Sequence, residues 1–93
     1  TRRARDLWRY LGAKMCVEDT WGSDIATAAA LHLAAATDPA RLLNVCDLSG
    51  YVSPRLSPDA PSRAAGRIAV PDGPGLGITP DRDLLGDPDL ILD

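Results

Sequence analysis

The sequence predicts an α/β fold in which two parallel strands belong to a larger sheet or barrel. Two short apolar runs, at residues 13–18 and 42–46, are typical of strands, and the second (LLNVC) is almost continuously hydrophobic, as buried parallel strands are. A helical pattern at 24–36 separates them, so the order is that of a crossover between parallel strands. Two parallel strands alone leave sheet edges unpaired, and we therefore expect further strands outside this segment.

A first helix is predicted at the start of the chain. Ala4, Leu7, Trp8 and Leu11 recur at the spacing that places side chains on one face of a helix. Gly12 follows this stripe and is suited to the position just after a helix, where the backbone turns left-handed. The stripe predicts a helix that packs through this single apolar face.

The second helix is predicted to begin at about Asp24, with Ser23 as its N-cap. Asp24 lies in the first turn, where a negative charge is favourable to the helix dipole. His32 falls in the middle of this helix, well past the end of the preceding strand. We therefore predict that His32 packs against neighbouring structure and does not act as a base.

Composition changes at residue 48, and the rest of the chain is rich in Pro, Gly, Ser and Asp. A short strand is predicted at 66–71. A short helix is predicted at 79–85, with Thr79 as N-cap and Gly86 as C-cap. We predict that this second part is mainly coil that packs against other structure. We therefore divide the chain into segments 1–47 and 48–93.

Charge and cysteine content limit the partners. The net charge is −3, whereas a nucleic-acid partner calls for a clustered basic patch, so we expect no nucleic-acid binding. No apolar run approaches the ~18 residues of a membrane span, so we expect no membrane association. Cys16 and Cys46 lack metal-binding spacing and are typical of free thiols in a reducing compartment. We therefore expect a cytoplasmic protein.

Acidic and aromatic side chains follow both predicted strands. Glu18, Asp19 and Trp21 come at the end of the first strand, and Asp47 follows the second. In a parallel β/α barrel these strand ends build the active-site mouth. Adjacent carboxylates are costly there unless they meet a metal, an ammonium group or hydrogen-bond donors. In the alternative interpretation, Asp19 and Thr20 cap local backbone groups and Trp21 packs on a neighbouring loop. Asp47 would then cap the turn that follows the second strand.

Two stretches carry a family resemblance: VPDGPGLGITPDRDLLG at 70–86 and MCVEDTWGSDIATAAALHLAAAT at 15–37. Both resemble the enolase superfamily, in its mandelate racemase and muconate-lactonizing branch. The resemblance implies the C-terminal portion of a (β/α)7β TIM-like barrel, with strands seven and eight in segment 1–47. It further implies that segment 48–93 joins the N-terminal capping domain. The remainder of the same barrel enzyme would then be the partner of this chain, and a homo-oligomer is expected.

The same resemblance implies an enzyme that removes the proton next to the carboxylate of a small-molecule substrate. Mg²⁺ would stabilise the resulting enediolate. The metal ligands and base lysines of the family would lie on strands outside this chain. Lys14 is the one lysine here, and it begins the first strand, away from the site, so it is no substitute. We therefore expect no catalytic residue and no metal ligand in this segment.

The motif Asp-Thr-Trp-Gly-x-Asp-Ile, at residues 19–25, resembles the corresponding motif of cis-3-hydroxy-L-proline dehydratases and hydroxyproline-betaine epimerases. Their substrates carry a cationic nitrogen beside a carboxylate. The resemblance implies substrate binding by Asp19, Trp21, Glu18 and Asp47, with a cation–π contribution of about 0.5–2 kcal/mol from Trp21. The reaction would be racemisation, epimerisation or dehydration. The alternatives are an acid-sugar dehydratase of the same superfamily and a non-catalytic fragment that needs a partner chain.

Overall fold

The structure is a computed structural model that describes residues 1–91. The predicted segment 48–93 therefore ends in two residues that lie outside the described part. In chain order the elements are helix α1 (Arg2–Tyr10), strand β1 (Met15–Glu18), helix α2 (Ser23–Ala35), strand β2 (Leu42–Cys46), a 3₁₀ turn (Leu48–Tyr51), strands β3 (Arg63–Ala64) and β4 (Arg67–Ile68), and helix α3 (Arg82–Leu85). Strands β1 and β2 pair in parallel, as the sequence predicts, and β3 and β4 pair antiparallel.

The core lies between α2 and one face of the parallel pair. Val17, Ala30 and Ala34 are buried at its centre. Three partly buried side chains pack around them: Leu33, Leu42 and Val45. Helix α2 contributes mainly alanines to this core. Each alanine removes little apolar area from water, so the core buries little apolar surface.

The opposite face of the parallel pair carries polar side chains and thiols. The register places Val17 beside Val45, and both valines face α2. Successive residues of a strand alternate between faces. The residues on either side of the two valines therefore share the other face: Cys16, Glu18, Asn44 and Cys46.

Helix α1 forms as predicted, but its apolar stripe is exposed. Leu7, Trp8 and Leu11 are 57%, 51% and 61% exposed, and α1 has no buried residue. Gly12 adopts a φ of 72° directly after the helix, which confirms its predicted role. More than half of each of these three residues is thus uncovered within residues 1–91.

Both predicted N-caps are wrong. Gly22 caps α2, and Ser23 is its first residue, although the Ser23 hydroxyl still accepts a hydrogen bond from the Ile25 N–H at 3.4 Å. Asp81 caps α3 and accepts from the Asp83 N–H at 3.0 Å. Thr79 does not cap this helix, because its backbone groups already bond to the segment around Ser57.

The strand predicted at 66–71 is correct only for Arg67–Ile68. Its partner Arg63–Ala64 was not predicted. Ala65 and Gly66 connect them with φ values of 49° and 74°, and two consecutive positive φ values are what a tight hairpin turn of this hand requires. Among residues 1–91, no helix has the length and apolarity to cross a bilayer.

Candidate substrate site

Asp19 joins the carboxyl ends of the two parallel strands. It directly follows β1, is only 3% exposed, and accepts a hydrogen bond from the Thr27 hydroxyl at 2.6 Å. Its carboxylate also accepts from the backbone N–H groups of Leu48 at 3.0 Å and Ser49 at 3.1 Å, just beyond β2. Both carboxylate oxygens are therefore engaged within the chain, and this carboxylate fixes β1, α2 and the 3₁₀ turn to one another.

The hydrogen bonds keep Asp19 ionised despite its burial. Burial acts to raise the pKa of its carboxyl group, but hydrogen bonds from the Thr27 hydroxyl and from Ser49 outweigh that effect. The pKa of Asp19 consequently lies below its ordinary value. The carboxylate is a charged, internally satisfied group, which matches the capping interpretation of the sequence. Direct contact between Asp19 and substrate stays a prediction.

The loop after Asp19 is conformationally strained. Thr20, Trp21 and Ser23 have φ values of 50°, 67° and 64°, a region that residues other than glycine seldom occupy. Gly22 lies within this loop, where a Cβ atom would come within 2.5 Å of the Ala26 Cβ. Such strain persists only where the surrounding structure imposes it, and it is commonest at functional sites. Here it leaves the Trp21 side chain 61% exposed at the carboxyl end of β1.

Glu18 ends β1 on the face away from α2. Its direct cross-strand neighbour is Cys46, at the end of β2. Glu18 is exposed, and in contrast to Asp19 it has neither an ion pair nor a backbone donor among the described residues. Of the two adjacent carboxylates, Glu18 is thus the one with free acceptor capacity.

Asp47 follows β2 and forms an ion pair with Arg63 of β3, its side chain being 12% exposed. Gly50 approaches it closely, since a Cβ atom there would lie 2.9 Å from an Asp47 carboxylate oxygen. The structure therefore brings Asp47 to the same end of the sheet as Glu18 and Asp19, but with its charge balanced by an arginine.

Asp24 holds the second segment of the chain against α2, a role the sequence did not reveal. It is 2% exposed and accepts from Arg55 Nε at 2.6 Å. It also accepts from the backbone N–H groups of Leu56 at 2.8 Å and Ser57 at 3.2 Å. Its place in the first helical turn suggested only a dipole interaction. Nothing in the local sequence signals that a loop 31 residues away supplies its partners.

His32 and Ser57 extend this attachment. His32 Nε2 lies 3.1 Å from the carbonyl oxygen of Leu76, a distance at which a protonated Nε2 donates a hydrogen bond. The Ser57 hydroxyl is shared between the Asp59 carboxylate and the Thr79 carbonyl, the latter at 2.8 Å, and the Thr79 N–H donates to Asp59 at 3.1 Å. These contacts confirm that His32 has a packing partner.

An open groove borders each strand of the parallel pair. A groove of about 720 Å³ beside β1 is lined by Val17, Glu18 and Asp19 together with alanines of α2 and arginines of α1. A second, of about 570 Å³, is lined by Asn44, Cys46 and further residues of β2 and of the β3–β4 hairpin. Each strand has a single hydrogen-bonded neighbour among residues 1–91. Space for further structure therefore exists on both sides of the pair.

Comparison with known families identifies the chain. Residues 1–84 match the family described as enolase C-terminal domain-like. The chain belongs to this family. Its likeness to the mandelate racemase and muconate-lactonizing branch, which the stretches at 15–37 and 70–86 indicate, is thereby confirmed.

Individual relatives share both sequence and fold. The chain is 45% identical over 84 residues to a cis-3-hydroxy-L-proline dehydratase of Roseibium aggregatum, covering 90% of this chain and 23% of that protein. It superimposes on a mandelate racemase/muconate lactonizing enzyme from Roseovarius nubinhibens ISM with a TM-score of 0.85 and 39% identity, covering 96% of this chain and 24% of the other. An enolase superfamily member from the same organism, complexed with magnesium, gives a TM-score of 0.86, 34% identity and the same coverage.

The chain thus spans about a quarter of the length of these relatives. Within residues 1–91, no three His, Cys, Asp or Glu side chains lie together in a way that could hold a metal ion.

Acid should destabilise this site. The folded-state pKa of Asp19 lies below the ordinary 3.8, so its contribution to stability is fully present above that value and is lost as pH falls through the folded pKa. The pKa of Asp59 is lowered as well, mainly by the Ser57 hydroxyl, and acts in the same direction. We expect the urea midpoint of the full-length protein to fall as the pH is lowered below 3.8. The fall should be smaller in Asp19→Asn, and an identical fall in that variant would contradict the assignment.

Proposed function

We propose that the chain is the C-terminal part of an enzyme that removes the proton α to a carboxylate in a proline-type amino acid or betaine. Epimerisation or elimination of water would follow. The observation that carries the proposal is the 45% identity, across 90% of this chain, to a cis-3-hydroxy-L-proline dehydratase. The exposed carboxylate and indole at the carboxyl end of β1 support it, because they suit a substrate with a cationic nitrogen.

In this proposal β1 and β2 are the seventh and eighth strands of a (β/α)7β barrel, with residues 1–47 as the barrel segment. The grooves on both sides of the pair support this placement, since a barrel continues the sheet across each free edge. The exposed apolar stripe of α1 supports it as well, because the rest of the barrel would cover it. Residues 48–93 would join the capping domain, and the enzyme would form a homo-oligomer.

Glu18 and Trp21 would bind the substrate, and Asp19 would position them. Glu18 has free acceptor capacity, and the exposed indole face of Trp21 can attract an ammonium group. Asp19 lies between these two residues and holds the strand end in place through its buried hydrogen bonds. Asp47 would border the same site, and its ion pair with Arg63 would partly offset its negative charge.

Mg²⁺ would be bound by residues of the complete enzyme that lie outside this chain, and it would supply electrostatic stabilisation of the enediolate. The present residues would contribute ground-state binding and orientation. Replacing them should therefore act mainly on KM, since interactions made equally with substrate and transition state leave kcat unchanged.

The proposal is tested by replacing Trp21 in the full-length enzyme. We expect Trp21→Leu to raise KM for cis-3-hydroxy-L-proline or a proline betaine roughly 2- to 30-fold, the loss of about 0.5–2 kcal/mol of cation–π attraction. Trp21→Phe is the matched control, because it retains an aromatic face, and we expect a smaller increase. Steady-state kinetics of both variants measure the difference.

A panel of acid sugars separates this function from its alternative. Acid sugars lack the cationic nitrogen, so Trp21→Leu and Trp21→Phe should not differ in their effect on any residual turnover of them. Turnover of acid sugars in preference to proline-type substrates would identify an acid-sugar dehydratase. Equal KM values for wild type and Trp21→Leu with a betaine would contradict the role of Trp21.

A further inference from the structure

Cys46 occupies a position that the proposed function does not use. It is the last residue of β2, and the parallel register sets it directly beside Glu18, the last residue of β1. Adjacent strands lie about 4.8 Å apart, so neighbouring side chains on the same face are within contact reach. Both residues lie on the face away from α2. A thiol and a carboxylate therefore lie side by side at the carboxyl end of the parallel pair.

The surroundings differ for the two cysteines. Cys46 is partly buried, whereas Cys16 is exposed, and neither forms a disulfide. Cys16 lies on the same face as Cys46, but it pairs with Asn44, two residues before the Glu18–Cys46 pair along the strands. Only Cys46 thus has a carboxylate as its direct cross-strand neighbour.

The charged groups around Cys46 favour its neutral form. Burial, the negative charge of Glu18 and the neighbouring Cys16 raise the pKa of the Cys46 thiol, while Arg63 of β3 opposes them. Helix α2, which packs on the other face of β2, presents apolar side chains to the core. The thiol therefore keeps its proton and can donate a hydrogen bond to the carboxylate beside it.

We propose that Cys46 is a positioning residue whose neutral thiol holds the Glu18 carboxylate in the orientation that meets the cationic nitrogen of the substrate. The substrate part of this inference rests on the proposed function. The juxtaposition of thiol and carboxylate does not, because it follows from the register and from the shared face. Cys46 would also lie within reach of bound substrate at the strand ends.

Alkylation of the thiols tests the contact without any assay of activity. The full-length protein is treated with iodoacetamide at a series of pH values, and the modification of the Cys16 and Cys46 peptides is followed by mass spectrometry. Because the thiolate is the reactive form, the Cys46 profile should shift to lower pH in Glu18→Gln. The Cys16 profile is the internal control and should shift less. An unchanged Cys46 profile in Glu18→Gln would overturn the contact.

Kinetics and protection test the positioning role. We expect Cys46→Ala to raise KM for a proline-type substrate severalfold with a smaller effect on kcat, and Cys46→Ser, which retains a donor, to restore much of the loss. cis-3-Hydroxy-L-proline should slow alkylation of Cys46 more than that of Cys16. Equal KM values in wild type and Cys46→Ala would overturn the positioning role. The two proposals can also fail separately. If the enzyme does not turn over proline-type substrates but the alkylation of Cys46 still depends on Glu18, the proposed function is overturned and the contact between Cys46 and Glu18 is retained.

Discussion

Replacing Asp19 with alanine should be among the most destabilising single changes in this chain. The variant removes a buried charged acceptor and leaves the N–H groups of Leu48 and Ser49 without their partner. The Thr27 hydroxyl keeps only the longer bond to the Ser23 carbonyl at 3.3 Å. Each buried donor left unsatisfied costs about 1–3 kcal/mol, and these costs are not additive. We expect a total loss of about 3–5 kcal/mol.

Hydrogen exchange can localise this effect in the full-length protein. Exchange should accelerate in the 3₁₀ turn Leu48–Tyr51, because its amides lose their acceptor. Asp19→Asn retains one acceptor oxygen and should lose only about 1–3 kcal/mol. Asp38→Ala is a matched control for the loss of a carboxylate, because Asp38 accepts from the Ala40 N–H at an exposed site. Similar exchange in wild type and Asp19→Ala would show that the carboxylate does not hold the strand ends together.

Replacing Asp24 with alanine should detach the second segment from α2. The variant removes the partner of Arg55 and the shared acceptor of Leu56 and Ser57. Breaking a buried ion pair costs about 3–5 kcal/mol, but the Arg55 side chain is 33% exposed and water can replace part of the interaction. We therefore expect a loss of about 2–4 kcal/mol in the free energy of unfolding.

The two aspartates are expected to act on different segments. In Asp24→Ala, exchange should accelerate around residues 55–59 and change little in the 3₁₀ turn, the reverse of the pattern for Asp19→Ala. Asp24→Asn keeps an acceptor for the two N–H groups but removes the charge, so the comparison separates the backbone contribution from the ion pair. A uniform acceleration across both segments in either variant would mean that they open as one cooperative unit.

The hydrogen-bond partners of Asp19 could not be predicted from the sequence. Its position after a strand and before a helix left two roles open, substrate binding and local capping. The structure shows the partners of the capping role: Thr27, eight residues away, and Leu48 and Ser49, which lie 29 and 30 residues away. No local pattern encodes such partners, because they depend on how the crossover returns β2 beside β1.

The predicted N-caps at Ser23 and Thr79 were wrong for a related reason. Both residue types suit a helix start, but the strained loop before α2 moves the cap to Gly22. Thr79 uses its backbone groups to bind Ser57 and Asp59, so α3 begins later, with Asp81 as its cap. In each case the surrounding structure overrides a local preference of about 1 kcal/mol.

The sequence by itself determined the α/β class, the bounds of β2, the helical stripe of α1 and the family, because hydrophobic periodicity and short motifs are local properties of the chain. The tertiary structure alone decided which carboxylates are free and which are used internally. Asp19 and Asp24 are buried and fully engaged, Asp47 is paired with Arg63, and Glu18 lies beside Cys46 with free acceptor capacity. The physical reason is that a carboxylate's role depends on the donors around it, and here those donors come from distant parts of the chain.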